Sequence, residues 1–163
     1  KDLSAVAIGI GPGSFTGLRI GFSVAKGLCY PHNINLIGIS SLKIIANSVV
    51  KENKSIISLI KDKGEHYYIS KYNSDLNEII QPKIHLIDSD YMFSILDEES
   101  IIVVDSDDSK EFISQIIKDK TSVLSRTISS IDMISLSFKS FEEKKFEDIA
   151  YIEPMYVKKP YVS

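Results

Sequence analysis

Residues Gly11 to Gly21 read Gly-Pro-Gly-Ser-Phe-Thr-Gly-Leu-Arg-Ile-Gly, a composition unlike the rest of the chain. A glycine-rich turn leading from a strand into a helix leaves backbone N–H groups free at the helix N-terminus. Together with the helix dipole these can hold an anion. Gly11, Gly13, Ser14 and Thr16 are therefore the candidate anion or nucleotide loop. No Gly-Lys-Ser/Thr follows, so the segment is not a P-loop, and it does not match Gly-x-Gly-x-x-Gly. A plain tight turn, with Ser14 or Thr16 capping the helix, satisfies the same residues. Capping is the expectation for the two hydroxyls.

The other groups with chemical potential are dispersed. No two of His32, His66 and His85 have the three-to-five spacing of a helical metal pair. Asp105-Ser106-Asp107-Asp108 lacks the glycine and the distal glutamate of a calcium loop, and is expected to cap a helix at Ser109. Glu98-Glu99 and the run Glu142 to Asp148 read as solvated faces. Cys29 sits on apolar spacing with no nucleophile signature around it, and a lone cysteine fits a reducing cytoplasm. No catalytic residue and no metal ligand set is expected, and neither is the nucleophile–base pair of a peptidase.

The elements that position the loop follow from local pattern. Ala5 to Ile10 is an apolar run bounded by turn residues, the reading of a buried strand. A helix is expected over roughly Thr16 to Tyr30, stopped by Pro31-His32-Asn33. Asn35 to Ile39 is a second strand, and Ser40 or Ser41 caps a helix over roughly Leu42 to Val50. The β-α-β-α order predicts a right-handed crossover and a partly parallel sheet. The character changes near Glu52-Asn53-Lys54. Strands are expected at Ser55 to Ile60, Glu65 to Tyr72, Glu78 to Ile87 (broken at Pro82) and Ile101 to Val104. Helices are expected at Ser109 to Lys120 and Ser130 to Phe141, with an extended tail around Pro154. Two α/β lobes result, 1–52 and 53–163.

The first helix carries a further pattern. Gly17, Gly21 and Gly27 each cost roughly 1 kcal/mol relative to alanine inside a helix. Gly13, Gly17, Gly21 and Ala25 recur every four residues and form a ridge that another backbone can approach closely. Thr16, Arg19, Ser23, Lys26 and Tyr30 form a polar stripe, and Leu18, Phe22, Cys29, Ile20, Val24 and Leu28 cover much of the rest. A helix so apolar packs on more than one side. One side is its own sheet; the other is either internal as well or a partner surface, for which Gly13, Gly17, Arg19, Gly21, Phe22 and Ala25 are the candidates.

The 163 residues carry a net charge of −3, with 44% hydrophobic and 25% charged residues. That balance excludes disorder and a disulfide scaffold, and no apolar run approaches the ~20 residues of a membrane span. A free-standing nucleic-acid binder usually carries a basic excess. This chain has none, so any contact with RNA is expected through another subunit.

Ala5 to Ser48 resembles the bacterial TsaB (YeaZ) family, which helps form threonylcarbamoyl-adenosine in tRNA. The likeness lies in Gly11 to Gly21, in Lys26-Gly27-Leu28 and in the Ile37 to Ala46 stretch. Lys63-Gly64-Glu65-His66-Tyr67-Tyr68 is similar to the family's Arg-Gly-Glu-x-Tyr hairpin, with Ile60 where an Asp usually stands. Pro154-Met155-Tyr156-Val157-Lys158 resembles its closing Pro-x-Tyr-Leu-Arg, with Lys for Arg. The resemblance implies a two-lobed actin-like, sugar-kinase-like (ASKHA) fold. The family's first three strands are expected to precede Lys1, where no initiator Met stands, leaving the first lobe incomplete. It also implies a cytoplasmic, non-catalytic scaffold that pairs with TsaD and TsaE through its first-lobe helices. ATP and metal would then be handled by those partners, tRNA reached only through the complex, and a homodimer formed by the chain alone. The rival is an ATP-binding, kinase-like enzyme of the same fold, which usually needs a first phosphate hairpin and an Asp-Gly-Gly loop. No Gly-Gly dipeptide occurs here.

Overall fold

The computed structural model describes residues 3–50, 53–118 and 120–157. Lys1, Glu52 and Lys158, which the sequence reading uses, lie outside the described residues. The first layer is β1 (Ala5–Gly11), α1 (Phe15–Cys29), β2 (Asn35–Ser40) and α2 (Ser41–Asn47). Strands β1 and β2 pair in parallel from Ala5↔Asn35 to Gly11↔Ser40. The parallel pair predicted from the element order is thus present. Among the described residues β1 has no strand partner other than β2.

The second layer holds β3 (Ser55–Lys61), β4 (His66–Tyr72), β5 (Glu78–Leu86), α3 (Ser89–Ile95), β6 (Ser100–Val104), α4 (Asp107–Ile117) and β7 (Val123–Ser125). Its sheet runs β5-β4-β3-β6-β7, with antiparallel hairpins on one side of β3 and parallel strands on the other. Strand β5 is not broken at Pro82. The register jumps from Ile69↔Lys83 to Lys71↔Ile80, so Gln81 and Pro82 fall in a bulge where the missing N–H of proline does no harm. Helix α4 starts two residues before Ser109, because the Ser106 hydroxyl accepts from the Ser109 N–H at 3.2 Å and so caps the helix.

The period of two in β3 sends Ile57 and Leu59 to one face and Ile56 to the other. The first face packs with Met92 of α3 and Ile113 and Ile117 of α4. The second receives Ile45, Ala46 and Val49 from the α2 segment, so α2 ties the two sheets together. Residues expected with the second lobe also reach the first. Helix α5 (Ile134–Glu142) is tied to α2, with the Asn47 amide donating to the Ser135 hydroxyl at 3.0 Å and to the carbonyl of the neighbouring Asp132 at 2.7 Å. Beyond it, Glu147 N–H donates to Leu36 O at 2.8 Å and Met155 N–H to Ile10 O at 2.7 Å.

One buried cation sits at the β4 bulge. Lys71 is 7% exposed, and its ammonium donates to the Ile95 carbonyl at 2.7 Å and to the Asp97 carboxylate. Asp97 also accepts from Ser100 at 2.7 Å and Ser55 at 3.3 Å. Burial pushes the Asp97 pKa up, but these hydrogen bonds, that of Lys71 foremost, outweigh it and hold the group below the ordinary aspartate value. A depressed folded-state pKa gives stability that is present above the unfolded value, about pH 4, and is lost as pH falls through the folded one. Acid titration of Tm is therefore expected to fall less steeply below about pH 4 in Asp97→Asn than in the parent chain.

Candidate functional site

The glycine loop hangs from the C-terminal end of β1. Gly11 is buried, has φ of +103° and precedes a cis peptide to Pro12. A Cβ there would lie 3.0 Å from Leu18 Cδ1 and 3.3 Å from the Met155 carbonyl, so both conformation and space require glycine. Ser14 occupies the N-cap of α1, and its hydroxyl accepts from the Gly17 N–H at 3.3 Å. The hydroxyl thus does what was expected of it. Gly13 and Thr16 are exposed, and Thr16, already inside the first turn of α1, does not cap the helix as expected.

Beneath the loop lies a cleft of about 630 Å³. Pro12, Gly13 and Ser14 form one wall; Lys61, Asp62, Tyr68 and Asp105 from the second sheet form the other. Asp105, at the end of β6, accepts from the Lys61 N–H at 3.2 Å and the Ser109 hydroxyl at 3.1 Å. Tyr68 donates to Asp62 at 3.2 Å. The loop therefore faces two carboxylates and one lysine, a field that does not by itself favour a bare anion. Among the described residues no three His, Cys, Asp or Glu side chains converge on a metal position. His85 instead stacks edge-on against Tyr91, ring centroids 3.7 Å apart. Cys29 is fully buried and burial pushes its thiol pKa up, the behaviour of a core residue.

The six candidate interface residues divide. Gly13, Gly17 and Arg19 are exposed. Phe22 and Ala25 are each 5% exposed, and Ala25 packs with Cys29, Leu36, Val6 and Ile8. A Cβ at Gly21 would meet Ile8 Cδ1 at 3.6 Å. The close approach along the small-residue ridge, left open by the sequence, is made at Gly21 and Ala25 by β1 of the same chain. The physical reason is the crossover: α1 must lie on the two strands it connects. Because 3.6 Å is ordinary contact, Gly21→Ala is expected to gain up to about 1 kcal/mol from helix propensity. Gly21→Leu overpacks Ile8 and is expected to cost about 1–3 kcal/mol. Thermal or denaturant unfolding of both variants checks the pair.

Two features went unrecognised in the sequence. Ile20, Val24 and Leu28 of α1 are 60%, 58% and 49% exposed, one apolar row at four-residue spacing that none of the described residues covers. Their spacing was the signal, hidden because the helix carries apolar residues on several sides. The second is a clamp at the start of α1. Arg19 lies 3.9 Å from the centre of the Phe15 ring and donates to the Tyr156 hydroxyl at 3.5 Å, while Phe15 and Tyr156 pack with centroids 5.6 Å apart. The closing Pro154 to Val157 stretch thus lies on the glycine-loop helix.

A family model described as "TsaD: tRNA N6-adenosine threonylcarbamoyltransferase" matches residues 1–151. The tRNA threonylcarbamoyladenosine biosynthesis protein TsaB of Escherichia coli (strain K12) is 36% identical over 80 residues, 48% of this chain and 35% of that protein. The match thus spans about a third of that relative's length. TsaB of Bacillus subtilis (strain 168) is 26% identical over 164 residues, 97% of this chain and 71% of that protein. The solved structure "YeaZ from Pseudomonas aeruginosa" superposes with a TM-score of 0.78 at 17% identity, over 94% of this chain and 74% of that one. The architecture is the two-lobed actin-like, sugar-kinase-like fold. Over residues 1–151 the chain belongs to the family of that TsaD model, and the curated relatives it resembles here are TsaB proteins.

Proposed function

We propose that this chain serves formation of threonylcarbamoyl-adenosine in tRNA as a non-catalytic scaffold that pairs with TsaD and TsaE. The observation that carries the reading is the uncovered row Ile20, Val24 and Leu28 on the helix that also bears the family-like segment. An exposed apolar row flanked by Arg19, Phe15 and Tyr156 has the make-up of a protein interface, aromatic and arginine side chains around an apolar strip. Alone, the chain uses the same row to form a homodimer. ATP and metal belong to the partner subunits in this reading, and the chain works in the cytoplasm. Among the described residues no helix is long and apolar enough to cross a membrane. With net charge −3, its own affinity for tRNA is non-specific, roughly 10⁻⁴ to 10⁻⁶ M at physiological salt.

A second reading, a nucleotide-binding, kinase-like enzyme, draws on the 630 Å³ cleft between the glycine loop and Asp62 and Asp105. One reconstitution separates them. Purified TsaD and TsaE, supplied with threonylcarbamoyl-adenylate and tRNA, are expected to need this chain for modification. Asp62→Asn is expected to leave that requirement met, because a scaffold uses no carboxylate in the cleft. Modification undiminished without the chain would refute the scaffold. Loss of modification in Asp62→Asn with TsaD binding intact would favour the enzyme.

A further inference from the structure

A second cavity, of about 600 Å³, opens between α2, the β4–β5 turn and α5, and the proposed scaffold role makes no use of it. Its wall includes Ser40, Lys43, Asn77, Glu78, Lys139 and Lys145. Lys43 is partly buried, yet among the described residues its ammonium makes neither a hydrogen bond nor an ion pair. Lys145 is already engaged by Glu143 at 2.6 Å. Burial lowers the Lys43 pKa, against the field of Glu78 and with that of Lys139 and Lys145. Ser40 is 8% exposed, and its hydroxyl lies shut off from the cavity beside that of Tyr72.

A partly buried cation without a counter-ion is costly unless an acceptor reaches it. A phosphate group supplies several acceptor oxygens and negative charge at once, and lysine binds it as a point charge. The volume lies in the range of small-molecule sites and well exceeds a bare anion. Asp75, Glu78 and Glu143 share this wall with Lys43, Lys139 and Lys145, a balance that opposes an extended polyanion such as an RNA strand more than a single phosphate seated between two lysines. We propose that this cavity binds a small phosphate monoester, its phosphate held between Lys43 and Lys139.

The test is a titration of the full chain, followed by amide NMR, with glycerol 3-phosphate and, in a separate arm, inorganic phosphate. Saturable binding of the ester in the millimolar range or tighter is expected, with shifts at Lys43, Asn77 and Lys139 and weaker binding of inorganic phosphate. Lys43→Met is expected to weaken binding at least about tenfold, while Lys43→Arg keeps most of it and Lys110→Met, on the exposed side of α4, changes nothing. Should Lys43→Met unfold the chain, Lys139→Gln on exposed α5 gives the same comparison. Absence of saturable shifts, equal binding by Lys43→Met, or shifts confined to the glycine loop would overturn the proposal. So would inorganic phosphate binding as tightly as the ester, or Lys43-dependent binding of single-stranded RNA tighter than the ester.

Discussion

Gly11→Ala is expected to destabilise the chain by about 2–4 kcal/mol, which is roughly 4–16 °C in Tm for a protein of this size. The backbone supplies the first part, since φ of +103° is open to glycine and strained for alanine. Space supplies the second: Leu18 Cδ1 at 3.0 Å and the Met155 carbonyl at 3.3 Å would both have to give way to a new Cβ. The carbonyl is fixed by the Met155 N–H bond to Ile10 O, so movement there loosens the whole tail. Tyr156 would then leave Arg19 and Phe15. Gly13→Ala is the control, because nothing lies within 4 Å of its Cβ position and its φ is ordinary. Thermal unfolding is expected to move little in Gly13→Ala and strongly in Gly11→Ala. Equal shifts would mean that the loop is pliant at Gly11.

Val24→Asp carries the second large effect, on association rather than folding. The side chain is 58% exposed at the middle of the Ile20, Val24, Leu28 row. A carboxylate there stays hydrated in the free chain, so Tm should hardly change. In an interface it would be buried without a partner, at a cost typical of central contacts, about 2–4 kcal/mol. That is a loss of roughly 30- to 1000-fold in affinity. Sedimentation is expected to show the parent chain as a dimer and Val24→Asp as a monomer. Gln115→Asp, on the exposed side of α4, is expected to sediment like the parent chain.

The first layer was legible because its punctuation is strong. Gly11-Pro12 ends β1, Ser14 caps α1 and Pro31 stops it, so the limits of β1 and α1 differ from expectation by one residue, whereas α2, with no such stop, ends at Asn47, three residues before the expected Val50. In the second layer α3 escaped notice: seven residues capped by Asp88, whose carboxylate accepts from the Tyr91 N–H at 2.7 Å, are too few for a helical period to stand out. Strand β7, Val123–Ser125, is shorter still and exists because β6 offers it a parallel edge. The ridge at Gly21 was legible as a row of small residues, but periodicity names no neighbour, and only the crossover over Ile8 decides which side it faces. The clamp of Arg19 on Tyr156 joins residues 137 positions apart, a relation no local pattern encodes.

Titration calorimetry of TsaD against this chain bears most directly on the scaffold reading. A saturable complex is expected with the parent chain, weakened roughly 30- to 1000-fold by Val24→Asp and unchanged by Gln115→Asp. No heat of binding with the parent chain, or the same affinity for Val24→Asp as for the parent, would show that the uncovered row of α1 is not where TsaD docks.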